Sequence, residues 1–366
     1  MSLHGPMPKS AWMFPALAVL LFAGVTALGY SFAPTAAGLV FAGVLLLILF
    51  GTVFAAVHHA EVVAERIGEP FGTLLLTLSV TIIEVALIAT IMLGEQGVTT
   101  LARDTVFAVV MIVCNGLVGI CILAGGLRYR EQDIQVSGSS LYLSVLSVLA
   151  TITLILPNYT LTTPGPVFST GQLGFVSAVT ILLYGVFLYT QTMRHRDYFI
   201  AGTGEAGHEG TPQASNRAIV VSACLLLVSL LAVVLLAKKF SQVVDAGAAL
   251  IGAPPTFAGI VVALLILLPE GVAAIAAARR NDLQKSINLA LGSSLATIGL
   301  TIPAVAVAAY ELDKQLVLGL PAQDMVLLAL TLLLSLLTLG SGRTNILFGL
   351  VHLVVFAVFM FLVFVP

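Results

Sequence analysis

Of the seventeen Asp and Glu in this 366-residue chain, only Glu84 and Glu270 stand near the middle of long apolar runs. A charged side chain at mid-bilayer depth costs about 2.5–3.5 kcal/mol on insertion scales, so acids there are rare and usually have a task. A carboxylate in that position can take up and release a proton, or ligate a hard cation. A lone one can also be simply protonated and hydrogen-bonded to a neighbour. Two in corresponding places argue for the functional use.

The residues around each acid bear on that choice. Thr81, Thr77 and Thr73 stand three, seven and eleven positions before Glu84. At 100° per residue they fall within roughly 60° of its direction, a hydroxyl stripe leading to one carboxylate. The competing reading is back-bonding of those hydroxyls to carbonyls of their own helix. Ser79 points away and reads as packing. Glu270 has small neighbours on its face, among them Gly259, Ala263, Ala274 and Ala277, which allow close helix approach. Pro269 donates no N–H, which leaves the Leu265 carbonyl free within the membrane, a tolerable state where it lines a cavity. A carbonyl beside a carboxylate is a hard-cation ligand set. The next apolar run in each half adds oxygen: Ser294, Thr297 and Thr301 share a face, with Asn288 and Ser293 nearby, and Asn115 lies between Cys114 and Gly116 at mid-run. Asn115 and Ser294 read equally well as ligands or as hydrogen-bonding glue between helices.

The elements that must hold these residues follow from composition. With 59% hydrophobic and 9% charged residues the chain lacks the polar surface of a water-soluble domain, where about a quarter is charged. A net charge of −2 gives no basic field for nucleic acid. Cys114, Cys121 and Cys224 lie within apolar runs without CxxC spacing, so neither a disulfide nor a zinc site is expected, and no cofactor is implied. Eleven runs are long enough to cross a bilayer as helices: 11–30, 36–57, 70–93, 104–127, 141–157, 170–193, 217–237, 256–278, 285–309, 322–340 and 346–365. They are continuously apolar and show no strand alternation. The expected fold is an all-α polytopic membrane protein whose first span is retained rather than cleaved as a signal peptide.

Loop charge orients it. Lys9, Arg66, Arg128, Arg130, Arg194, Arg196, Arg217, Arg279, Arg280, Lys285 and Arg343 fall on the side of the N-terminus; Arg103, Lys238, Lys239 and Lys314 fall on the other. That asymmetry places the N-terminus in the cytoplasm and the C-terminus outside an inner membrane. The longest loop, 194–216, holds four glycines with Glu205, His208 and Glu209 and reads as a flexible cytoplasmic linker. It divides the chain into an extra helix (1–35), a five-helix unit (36–193) and a second five-helix unit (217–366). Each unit carries its buried acid in its second helix, and five being odd, the units cross in opposite senses. An inverted-topology repeat of this kind puts a transport site near the midplane. Gly72 before Glu84 and Gly259 before Glu270, and Ser169-Thr-Gly-Gln172 and Ser341-Gly-Arg-Thr344 at the entry to each unit's last helix, support the duplication. His352 stands alone in the last run and reads as a packing residue.

At these residues the chain resembles the calcium/cation antiporter superfamily, in its cation/proton exchanger branch. Gly68-Glu-Pro-Phe-Gly-Thr-Leu-Leu-Leu-Thr-Leu-Ser-Val-Thr-Ile-Ile-Glu84 is similar to the first of that family's repeats. Gly259-Ile-Val-Val-Ala-Leu-Leu-Ile-Leu-Leu-Pro-Glu270, followed by Asn288-Leu-Ala-Leu-Gly-Ser-Ser294, is similar to the second. Leu182 to His195 and Ser341-Gly-Arg-Thr-Asn345 extend the likeness, which runs from about Ala36 to the C-terminus. Its nearest form resembles the bacterial proton antiporters for calcium, sodium and potassium. The resemblance implies one extra helix plus two inverted five-helix repeats, with Glu84 and Glu270 binding cation and proton in turn. Three positions depart from the branch. Asparagine is usual where Thr81 and Leu267 stand, and glutamine where Ala296 stands, so fewer amide oxygens surround the cation.

The expected activity is export of Ca²⁺ in exchange for H⁺ by alternating access, the alternative being chiefly Na⁺(K⁺)/H⁺ exchange at the same residues. Inorganic cations and the lipid bilayer are then the partners. A channel is disfavoured because there is no filter motif and the site is duplicated within one chain. An intramembrane enzyme is disfavoured because there is no His-Glu-x-x-His, no Gly-x-Gly-Asp and no Ser/His pair at shared depth.

Overall fold

The computed structural model describes residues 8–30, 32–33, 35–68, 71–92, 99–199, 216–254 and 256–365. The linker residues Gly202 to Gly210, with His208, and Glu69 and Pro70 of the first motif lie outside the described residues. Among the described residues eleven helices are long and apolar enough to cross a membrane. They are α1 (Lys9–Ala27), α2 (Ala36–Ile67), α3 (Phe71–Met92), α4 (Leu101–Tyr129), α5 (Val136–Tyr159) and α6 (Thr170–Arg194), then α7 (Asn216–Ile251), α8 (Thr256–Ala278), α9 (Leu283–Glu311), α10 (Ala322–Gly340) and α11 (Ile346–Phe364). The chain is an all-α polytopic membrane protein.

Most boundaries fall within a few residues of the apolar runs because turn and cap residues mark both. Thr35 accepts the Gly38 N–H at the start of α2, and Ser169 with Gln172 forms a reciprocal capping box at the start of α6. The α11 cap is Asn345, whose side chain accepts the Leu347 N–H, so Ser341 sits before the entry rather than at it. Helices α2 and α7 run much further than their apolar cores, to 32 and 36 residues. Hydropathy marks the part a membrane covers, whereas the helix continues until a residue stops it. Gly68 and Gly252, at φ 76° and 65°, follow their last residues.

The chain divides into two compact units, residues 1–97 with 205–252 and residues 98–204 with 253–366. In the first, α2 and α7 pack along each other, and α3 and α1 each lie against both. His59 on α2 bonds the Ala11 carbonyl through Nε2 at 2.9 Å, and Thr52 donates to the Phe14 carbonyl at 3.3 Å, which fixes α1.

In the second unit α4 and α9 are the most deeply buried helices. The α4 helix packs on α8 and α11, α9 on α8, and α5, α6 and α10 complete the group. Both α4 and α9 are interrupted by a π-helical turn, over Ile112–Leu117 and Thr297–Thr301 respectively. Pro303 accounts for part of the second, since it removes the N–H that would close on the Gly299 carbonyl.

Two short pairings tie the ends of this unit. Strands β1 (Glu131–Asp133) and β2 (Arg343–Asn345) pair antiparallel with Gln132 opposite Thr344, and Arg343 meets Asp133 at 3.1 Å. A single antiparallel bridge joins Val167 to Val317. The first pairing links the loop after α4 to the loop after α10, and the second links the loop after α5 to the loop after α9. Loops separated by an even number of crossings share a face, so each pairing agrees with the eleven-helix count.

Candidate functional site

In the first unit α3 places Glu84 at 1% exposure, with Thr81 at 6% and Thr77 half-buried one and two turns earlier. The glutamate helix enters close beside α2. A Cβ at Gly72 would lie 2.6 Å from the Ala64 carbonyl oxygen, so only glycine admits this approach. Thr81 donates its hydroxyl to the Thr77 carbonyl at 2.9 Å, and Thr77 donates to the carbonyls of Thr73 (3.0 Å) and Leu74 (3.1 Å). Ser79 does the same to Leu75 at 2.8 Å. The stripe therefore back-bonds within its helix. Each hydroxyl that donates its proton this way still carries lone pairs, so its oxygen can face a cation.

In the second unit α8 carries Glu270 directly after Pro269, which lies inside the helix and leaves Leu265, a wholly buried residue, without an α-helical partner for its carbonyl. This helix too makes its closest approach at a glycine. A Cβ at Gly259 would lie 2.9 Å from the Thr105 nitrogen of α4. Glu270 is half-buried. On α9 Ser294 is wholly buried, its Oγ without a hydrogen-bond partner among the described residues, and Thr297, 3% exposed, opens the π-helical turn. A buried polar oxygen without a partner is costly, and an oxygen ligand for a cation is one use that offsets the cost.

Asn115 sits in the other π-helical turn, 0% exposed, with partners on two other helices. Its Nδ2 donates to Thr331 Oγ1 on α10 at 2.8 Å, while its Oδ1 lies 3.2 Å from His352 Nδ1 on α11. His352 Nε2 in turn lies 3.0 Å from Thr338 Oγ1. This corrects the reading of His352 as a lone packing residue: it is wholly buried in a four-residue polar network. The signal was present in the residue type, since an ionisable side chain in a membrane span is functional or partnered by default. A second feature missed from sequence is the first turn of α4, where Arg103 and Asp104 are buried and paired at 2.7 Å, with Arg103 also donating to the Gly319 carbonyl at 3.1 Å.

The structure thus gathers Thr77, Thr81 and Glu84 on one helix of the first unit. It sets Leu265 and Glu270 on α8, Ser294 and Thr297 on α9 and Asn115 on α4 in the second. Among the described residues no three His, Cys, Asp or Glu side chains converge as a metal centre. The oxygens these residues carry are of carboxylate, hydroxyl, carbonyl and amide type.

The pattern of the sodium/calcium exchanger protein family matches residues 35–193 and 221–365, most of the chain. The chain belongs to that family. Within it, y4hA of Sinorhizobium fredii, which carries an ionic-transporter name, is 47% identical over 320 residues, 87% of each chain. The sodium-potassium/proton antiporter ChaA of Escherichia coli is 38% identical over 321 residues, 86% of each. The solved structure of the Ca²⁺/H⁺ antiporter protein YfkE superposes with a TM-score of 0.71 over 97% of this chain and 99% of that one, at 16% identity, a likeness of fold.

Proposed function

We propose that this exchanger is a secondary active cation/proton antiporter, exporting Ca²⁺ in exchange for H⁺ by alternating access, with Glu84 and Glu270 carrying cation and proton in turn. One observation carries the reading. Two buried-span glutamates sit on helices that are each pinned to a neighbour by a glycine eleven or twelve residues upstream, and each is followed in sequence by a helix with a π-helical turn. That parallel supports an inverted repeat of residues 36–193 and 217–366. So do the two loop pairings, because renumbering helices by five turns the pairing after α4 and α10 into the one after α9 and α5. In the mechanism both carboxylates are ionised when they hold the cation. Protons arriving from outside neutralise them, the cation leaves outward, and the empty protonated state returns inward to discharge.

The second reading is chiefly Na⁺(K⁺)/H⁺ exchange, favoured by the relative named for sodium, potassium and protons and by Thr81 and Leu267 in place of amide ligands. Two negative charges favour a divalent ion in a low-dielectric interior, and the calcium reading rests on that. The orientation proposed is N-terminus in the cytoplasm, C-terminus outside.

Purified protein in vesicles loaded with a pH dye tests both readings. Proton release on adding Ca²⁺ at lower concentration than Na⁺ or K⁺ is expected. Glu84→Gln and Glu270→Gln should each cut it by at least about 100-fold, because a neutral isostere remains insertable but exchanges no proton. A strong Na⁺ or K⁺ response with none to Ca²⁺ would replace the calcium assignment, and proton-uncoupled flux would sink the antiporter itself.

A further inference from the structure

The ends of α4 and α8 in the second unit enclose an open groove of about 460 Å³ lined by Arg128, Val272, Ile275, Ala276, Arg279 and Arg280. The two helix ends are bound to each other there. Arg128 Nη1 donates to the Arg279 carbonyl at 3.4 Å, Tyr129 Oη donates to the same oxygen at 3.2 Å, and Gln132 Nε2 donates to the Ala278 carbonyl at 3.2 Å. The Arg128 guanidinium also lies over the Tyr129 ring, 5.5 Å from its centre.

Part of this has an ordinary cause, since cations at a helix C-terminus are favoured by its dipole and positive charge accumulates on the cytoplasmic face. Those causes would scatter arginines around the rim. Here three exposed arginines line one groove, where their mutual repulsion, weakened by water, is relieved by an anion between them. Elsewhere in this unit Arg103 pairs with Asp104 and Arg343 with Asp133. Among the described residues none of the three groove arginines is paired with a carboxylate. The remaining wall is apolar and open, with Val272 55% exposed on the same turns of α8, which a free aqueous anion would not need.

We propose that this groove binds the headgroup of an anionic phospholipid, the three guanidiniums holding the phosphodiester while Val272, Ile275 and Ala276 line the first segment of an acyl chain. Guanidinium suits a phosphate because its N–H fork matches two oxygens at once. Basic pockets at the cytoplasmic ends of membrane helices are where such headgroups are held. The groove lies on the helix that carries Glu270. Nine residues at 1.5 Å separate Glu270 from Arg279, about 13 Å, so an occupied groove would steady the end of the glutamate helix.

Native mass spectrometry of the full-length protein, with phosphatidylglycerol, phosphatidylcholine or inorganic phosphate added in turn, decides the matter without reference to transport. Wild type is expected to retain phosphatidylglycerol and not phosphatidylcholine, and millimolar phosphate is expected not to displace it. Each of Arg128→Gln, Arg279→Gln and Arg280→Gln should weaken retention about fivefold, at about 1 kcal/mol per cation near the surface. Arg194→Gln and Arg217→Gln, on the same face by loop count but outside the groove, should leave it unchanged. Equal retention of both lipids by wild type, displacement by phosphate, or equal effects of groove and control substitutions would overturn the proposal. The comparison of lipids on wild type stands even where a variant fails to fold.

Discussion

His352 Nδ1 stands 3.2 Å from Asn115 Oδ1, a contact between residues 237 apart that joins the last helix to the π-helical turn of α4. Because Asn115 Nδ2 already donates to Thr331, its oxygen faces the imidazole, which must donate from Nδ1. A neutral ring then accepts at Nε2 from the Thr338 hydroxyl at 3.0 Å. Every polar atom of the chain Thr331, Asn115, His352, Thr338 has a partner, and the π-helical turn is held in place from two helices.

Removing one member strands the others. His352→Ala should lower the unfolding free energy by about 2 kcal/mol, the cost of leaving buried amide and hydroxyl groups unsatisfied. Thermal unfolding in detergent would show it. A double-mutant cycle with Asn115→Ala should give a coupling of about 1 kcal/mol or more, and additive effects would mean that the contact contributes nothing.

The threonine stripe tests how far a hydroxyl that back-bonds can still serve a cation. Thr81→Val removes one oxygen three residues from Glu84 while the helix keeps its backbone bonds, so folding should be nearly unchanged. The cation concentration for half-maximal exchange should rise about fivefold, the equivalent of one lost oxygen contact of about 1 kcal/mol. Thr77→Val, a turn further off, should change it less. If neither substitution moves that concentration, the stripe serves the helix alone.

Two glycines on α8 should respond in opposite ways. A methyl at Gly259 would meet the Thr105 nitrogen at 2.9 Å, whereas at Gly271 the nearest atom, Leu117 Cδ1, lies at 3.8 Å. Gly259→Ala should therefore cost about 1–3 kcal/mol through forced separation of α8 from α4. Gly271→Ala should be neutral or stabilise by up to about 1 kcal/mol, since alanine loses less conformational freedom in a helix. Melting temperatures of the pair would decide it, and equal effects would remove the close approach as the reason for glycine at 259.

What the sequence made legible follows from how local each signal is. The bounds of α8 and α10 match their apolar runs residue for residue because Pro254 and Pro321 stand before the starts, and Arg279 and Ser341 follow the ends. The ends of α2 and α7 lie beyond their apolar runs because hydropathy reports the membrane and not the helix stop at Gly68 and Gly252. The two glutamates stood out because an acid in an apolar run is costly wherever it is packed. The partners of Asn115 and His352 did not, since they lie on helices far apart in sequence and no spacing rule connects them. The turn at Ile112–Leu117 has no proline to announce it; it arises where α4 is packed from several sides at once.

Leu267 bears most directly on selectivity. It is 4% exposed, on α8, three residues before Glu270, at the position where asparagine is usual in the branch that the sequence resembles. Leu267→Asn adds one amide oxygen near the carboxylate but buries an amide, which costs about 1–3 kcal/mol when it has no partner. The two effects separate by experiment. Without cation the variant should melt below wild type by an amount matching that cost. With Ca²⁺ it should recover, because a ligand that binds only the folded state stabilises it in proportion to the logarithm of its concentration over Kd, about 2.7 kcal/mol at 100 times Kd. Na⁺ and K⁺, with one charge to repay the desolvation, should rescue it less. The ratio of Ca²⁺-driven to Na⁺-driven proton release should therefore rise. A variant that melts low in every salt and keeps the wild-type ratio would place residue 267 outside the cation's coordination shell and leave Glu270 without an amide neighbour at that position.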